Sequence, residues 1–106
     1  MNKRLIALIL GIAIIMTAAI ASAGVFDREI ADQQRLIDRG IASGKLTHHE
    51  ADIVQDNLNY VRNKLESYKG NDGRLDRKER TRLERMLQRN DRMIKKLKNN
   101  AIQRAY

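Results

Sequence analysis

The chain has 106 residues, 21 Lys/Arg against 13 Asp/Glu, a formal net charge of +8, no cysteine and no proline. Without cysteine there is neither a disulfide nor a thiol for lipid attachment, so stability must come from packing, a partner or a metal. A chain this small makes one domain at most, which argues against a substrate-enclosing enzyme pocket.

Residues 1–23 read as an export signal. Lys3 and Arg4 form a positive start, and Leu5 to Ile20 is an apolar run broken only by Gly11 and Thr17. Ala21-Ser22-Ala23 then offers the small-x-small pattern of a cleavage site. Cleavage leaves a single mature domain over 24–106, 83 residues long, in the periplasm or secreted. The alternative is an uncleaved N-terminal membrane anchor, because roughly 17–25 apolar residues span a bilayer.

Apolar spacing predicts three helices in the mature domain. The first carries Phe26, Ile30, Ile37 and Ile41 on one side, with Asp27 placed to cap its start and Gly40 near its end. In the second, Ala51, Val54, Leu58, Val61, Leu65 and Tyr68 step by three and four, a heptad-like seam for packing against another helix. The third runs from about Arg77 to about Ile102, with Leu83, Met86, Leu87, Met93, Ile94, Leu97 and Ala101 as its stripe. Asn90 interrupts that stripe, either as a tolerated polar residue or as a register-setting amide. The expected fold is all-α: a short helix followed by an antiparallel hairpin of two long helices. Narrow stripes and a sparse first helix leave apolar seam to spare, so self-association is expected.

A pattern recurs at both junctions, 29 residues apart. Ser43-Gly44-Lys45-Leu46-Thr47-His48-His49-Glu50 returns as Asp72-Gly73-Arg74-Leu75-Asp76-Arg77-Lys78-Glu79. Leu46 then matches Leu75, Val54 matches Leu83, Leu58 matches Leu87 and Leu65 matches Ile94, so the unit is a duplicated capped turn and helix. One reading needs no ligand. Thr47 with Glu50, and Asp76 with Glu79, are capping boxes in which side chain and backbone N–H groups satisfy each other. Gly44 and Gly73 supply a left-handed turn, and Leu46 and Leu75 staple against the region of Ala51 and Arg80.

The other reading is metal binding. Asp72-Gly73 followed by Glu79 resembles the second half of an EF-hand loop, with Asp72, Arg74 (through its carbonyl), Asp76 and Glu79 as ligands. The first and third loop positions fall on Tyr68 and Gly70, which lack carboxylates. Ca²⁺ prefers six to eight oxygens, so the site would be weak, with a dissociation constant of roughly 10⁻⁴ M or above. No cofactor is required by the capping reading; weak calcium is the one cofactor that the second reading offers.

Two family resemblances attach to the repeated turns. Leu46-Thr47-His48-His49-Glu50 and Leu75-Asp76-Arg77-Lys78-Glu79 resemble the Leu-Thr-x-x-Gln motif of the Spy/CpxP-type periplasmic chaperones. Those are basic helical dimers that cradle partly unfolded clients; here glutamate replaces glutamine, and aspartate replaces threonine in the second copy. The chain also resembles small exported bacterial helical proteins with a Ser-Gly-x-Leu-Thr-x-x-Glu turn followed by an Asp-Gly-x-Leu turn. What the first likeness implies is an envelope stress or chaperone-like factor with protein clients.

Charge is unevenly placed. Residues 24–73 hold seven Lys/Arg against nine Asp/Glu, while residues 74–106 hold twelve against four. Arg82, Arg85, Arg89, Arg92 and Lys96 recur at helical spacing as a basic face beside the apolar stripe. Such a face is either a solvated surface or a site for acidic clients and anionic envelope components. Export and the scarcity of aromatic residues argue against nucleic acid. His48 and His49, the two histidines, point about 100° apart on a helix and read as exposed first-turn residues. No nucleophile, triad or phosphate loop is legible, so the chain reads as a non-enzymatic binding protein.

Overall fold

The computed structural model describes residues 22–70 and 73–104. The apolar run of the export segment and the candidate ligand Asp72 lie outside the described residues. The fold is all-α, with α1 over Ser22–Ala42, α2 over His48–Lys69 and α3 over Arg77–Arg104. No helix among the described residues is long and apolar enough to cross a membrane.

Short connections turn each helix back along its predecessor, so α1 and α2 are antiparallel, as are α2 and α3. Pairings along the bundle agree. Lys69 at the end of α2 reaches Asp27 near the start of α1 at 3.4 Å, and Gln34 and Gln55 exchange two amide hydrogen bonds at mid-length. All three helices contribute to one core. Phe26, Ile30 and Ile37 enter from α1, Ala51, Val54, Leu58, Val61 and Leu65 from α2, and Leu83, Leu87 and Ile94 from α3. The α2 seam is therefore covered within one chain from Ala51 to Leu65, and Tyr68 at its end is half-buried. Leftover apolar surface lies elsewhere, chiefly at Val25, Ile41, Ile53 and Tyr60.

Two expectations for the first helix need correction, and a third, Gly40 near its end, holds. Asp27 does not cap α1, because the helix already begins at Ser22; Asp27 is exposed and pairs with Lys69. Ile41 is 43% exposed, since α1 ends one residue later and the chain leaves the core. Gly40 lies inside the helix and is required by close approach. A Cβ there would sit 2.6 Å from Leu46 Cδ1, so Leu46 packs over Gly40 and anchors the first turn. Gly44, with φ of 74°, reverses the chain, and the Leu46 N–H donates back to the Gly40 carbonyl at 3.0 Å.

One polar layer cuts across the core. Gln33 and Asn90 are 5% and 2% exposed, at positions where α1 and α3 would otherwise present apolar groups. Gln33 Nε2 donates to the Leu87 carbonyl at 2.7 Å. Asn90 Nδ2 donates to Gln33 Oε1 and to the Val54 carbonyl, each at 3.1 Å, and Asn57 Nδ2 donates to Asn90 Oδ1 at 3.2 Å. Asn90 therefore bonds to both other helices at a single level. By the 29-residue offset its counterpart in the first unit is the buried Val61.

Replacing Asn90 with valine, the residue of the first unit, makes the position apolar and leaves Gln33 Oε1 in the core without its donor. Urea unfolding of Asn90→Val should show a loss of about 1–3 kcal/mol, the cost of a buried polar group without its partner. An unchanged or increased stability would show that this layer contributes no constraint.

Candidate functional site

Both turns end in reciprocal caps. Thr47 Oγ1 accepts the Glu50 N–H at 3.1 Å while Glu50 Oε1 accepts the Thr47 N–H at 2.9 Å. Asp76 Oδ1 accepts the Glu79 N–H at 2.8 Å while Glu79 Oε1 accepts the Asp76 N–H at 3.0 Å. Gly73, with φ of 69°, provides the same reversal as Gly44. One oxygen of each carboxylate, Asp76 Oδ1 and Glu79 Oε1, is thus already accepting a backbone hydrogen. His48 and His49 are exposed, and among the described residues no group of three or more His, Asp or Glu side chains is placed to hold a metal ion.

The basic face is a ridge on α3. Arg82, Arg85, Arg89, Arg92 and Lys96 are exposed along one side of the helix, with Lys78 one turn before them. Among the described residues the ion pairs join Arg35 to Asp32, Lys69 to Asp27 and Glu66, and Lys95 to Asp91; none of the five ridge cations takes part. Arg82 donates to the Tyr68 hydroxyl at 3.2 Å, which raises the guanidinium's already high pKa. Open crevices run between these side chains, one of about 530 Å³ bounded by Arg77, Lys78, Arg82, Arg85 and Arg89.

Comparison of the two units inside the chain separates scaffold from ridge. Shifted by 29 residues, Arg82, Arg85, Arg89, Arg92 and Lys96 correspond to Ile53, Asp56, Tyr60, Asn63 and Ser67 on α2. Not one of these is basic. Most core and cap positions repeat, whereas these five outward positions do not, so capping, helix formation and packing do not call for the cations. Placing five like charges on one side of a helix is instead mildly unfavourable, since neighbours three or four apart repel.

Apolar groups border the ridge on its α2 side. Tyr60, Val61, Met86 and Arg89 wall a cavity of about 190 Å³ whose polar end is formed by Asn57 and Asn90. Tyr60 is 55% exposed, and Ile53, two turns away on the same side of α2, is 39% exposed. Lys64 Nζ sits 5.6 Å from the Tyr60 ring centre and 5.9 Å from that of Tyr68, within cation–π range. The opposite flank of α3 has the other sign. Glu29 and Asp32 of α1 face a groove shared with Asp91, and partial burial pushes the Glu29 carboxyl above its usual range, with Glu84 and Asp32 adding to the shift.

The ridge residues were legible from helical spacing, but not the company they keep. That Tyr60 and Met86 stand beside Arg89 depends on how α2 and α3 are rotated about their axes, which no local pattern states. Comparison with known proteins finds no matching family model, curated protein or solved structure.

Asp76→Ala should lower stability by about 0.5–2 kcal/mol, the usual worth of a cap, equally with and without calcium. Millimolar Ca²⁺ should stabilise the wild-type chain by less than about 1 kcal/mol by thermal unfolding, with little preference over Mg²⁺. A large calcium-selective shift removed by Glu79→Gln would reverse this assignment. Glu29 offers a separate test, because the fold disfavours its charged form. Its raised pKa means stability is lost as pH rises from the unfolded carboxylate range through the folded value. Glu29→Gln should accordingly be more stable than wild type at neutral pH and lose that advantage as pH falls through this window, measured by urea midpoints.

Proposed function

We propose that this is an exported, non-enzymatic binding protein that engages an anionic partner reversibly through the α3 ridge and its bordering apolar groups, as an envelope-associated or chaperone-like factor. One observation carries this reading: five exposed cations without ion pairs occupy positions where the duplicated unit on α2 has none. Desolvated or networked charge would serve stability. Exposed like charge serves long-range attraction of the opposite sign, and arginine adds a planar fork matched to carboxylate and phosphate oxygens.

Several features agree with reversible contact rather than catalysis. The crevices along the ridge are open to solvent, and Arg side chains there have the rotamer freedom to adapt to a partner's shape. Methionine, as at Met86 and Met93 beside the ridge, is the apolar side chain best able to re-pack against different surfaces. Chaperone-like activity towards acidic, partly unfolded chains is one use of such a surface. Self-association would draw on the exposed Ile53 and Tyr60 rather than on the buried α2 seam.

Binding of fluorescent poly-glutamate, followed by anisotropy across a sodium chloride series, tests the charge requirement. Affinity should fall steeply with salt. Arg85→Glu/Arg89→Glu should weaken it about tenfold or more, as expected when two attractive charges become repulsive. Lys95→Glu, on the flank where Lys95 is paired with Asp91, should change it little. Equal binding by both variants would remove the ridge from the account.

A further inference from the structure

We infer that the partner of the α3 ridge is an anionic bilayer surface, on which the bundle lies with α3 and the outer side of α2 towards the lipid. This rests on the ridge reading above and names the partner. Lys78, Arg82, Arg85, Arg89, Arg92 and Lys96 advance in steps of four and three, so the cations form one straight line on a convex helix. At 1.5 Å per residue the line is about 27 Å long. A line of cations on a convex surface meets a plane of headgroups along its whole length. An extended acidic polypeptide pairs with the cations alone, whereas a bilayer also gives the apolar border a layer to enter.

The bordering residues fit the interface of a bilayer. Tyr60 and Ile53 are the exposed large apolar groups on α2, and Tyr60 shares its cavity wall with Met86 and Arg89. Apolar side chains standing beside a row of Lys/Arg are the arrangement by which peripheral helices lie in the headgroup plane, apolar atoms below and cationic tips level with the phosphates. Tyrosine, with an apolar ring and a polar tip, suits that depth.

Charge selects both the partner and the orientation. Residues 24–106 carry six more Lys/Arg than Asp/Glu, so a second copy of the chain brings net repulsion. On the far flank of α3, Glu29, Asp32 and Asp91 line the groove against α1, with Asp32 and Asp91 held by Arg35 and Lys95. The bundle thus has one strongly basic side and one balanced acidic side. An anionic plane attracts the first and turns the second away.

The test uses the mature chain, 24–106, with sedimented vesicles of phosphatidylcholine alone or mixed with phosphatidylglycerol. The protein should bind the mixed vesicles and leave pure phosphatidylcholine unbound. Arg85→Glu/Arg89→Glu should weaken vesicle binding about tenfold or more, given roughly a fivefold effect per charge near such a surface. Ile53→Ser/Tyr60→Ser should weaken vesicle binding severalfold, and by a clearly larger factor than it weakens poly-glutamate binding, a difference that a purely electrostatic contact cannot produce. Circular dichroism confirms that each variant is folded. Poly-glutamate binding without vesicle binding would overturn the membrane assignment while leaving the anionic-partner reading intact; binding of neither would overturn both. Vesicle binding that survives the double charge reversal also defeats the inference. So does displacement by inorganic phosphate beyond the effect of chloride at equal ionic strength, which would indicate an isolated phosphate site.

Discussion

The amide of Asn90 is the point on which the bundle's geometry depends. It lies in the core of α3 and bonds to Gln33 of α1 and to the Val54 carbonyl of α2, while Asn57 closes the fourth side. Apolar stripes at three-and-four spacing are nearly self-similar, so a helix sliding by one turn would still bury leucine against isoleucine. A buried amide removes that freedom. In any slipped register Gln33 and Asn90 would lose their partners at a cost of about 1–3 kcal/mol each, a large part of the stability of a small domain. The buried asparagine of a coiled coil fixes register by the same logic.

That constraint has consequences at the surface. Asn90 and Arg89 are neighbours in the chain, and Asn57 is one turn from Tyr60. Holding Asn57 against Asn90 therefore holds Tyr60 beside Met86 and Arg89 and makes the basic ridge continuous with an apolar border. The duplicated units explain why the scaffold tolerates this. Their shared caps and core positions build two similar helices, and the outward positions of the second unit are free to carry charge. The same offset places Arg80 opposite the buried Ala51, and the Arg80 Nε is enclosed without a hydrogen-bond partner. Arg80 stands in the first turn of α3, the end at which the helix dipole disfavours a cation, and nothing in the structure explains the exchange of alanine for arginine.

Much of the fold was legible because its determinants are local. The two turns announce themselves through glycine, leucine and a capping pair within eight residues, and the α2 seam repeats without interruption. The first helix was less legible for equally physical reasons. Its start lies beside an apolar segment that obscures where helix begins, so Asp27 imitated a cap. Its end depends on Leu46 packing over Gly40, a contact between residues that no periodicity links. Gln33 is the clearest case of what sequence hides. It stands between Ile30 and Ile37 as an ordinary polar residue, and becomes the partner of Asn90 only when three helices meet. The ridge cations were visible as a stripe, but their apolar border is a tertiary property.

The central claim is that the Gln33–Asn90 layer sets the register that places Tyr60 against α3. Nuclear Overhauser contacts between the Tyr60 ring and the Met86 methyl group test it most directly, compared between wild type and Gln33→Leu/Asn90→Leu. The double variant removes both buried amides, so it should stay folded with stability near or above wild type. The account predicts a sharp Tyr60–Met86 contact in the wild-type chain, and a weakened or exchange-broadened one in the variant as the helices sample slipped registers. An undiminished contact in a folded double variant would contradict it, and would assign the register to apolar packing alone.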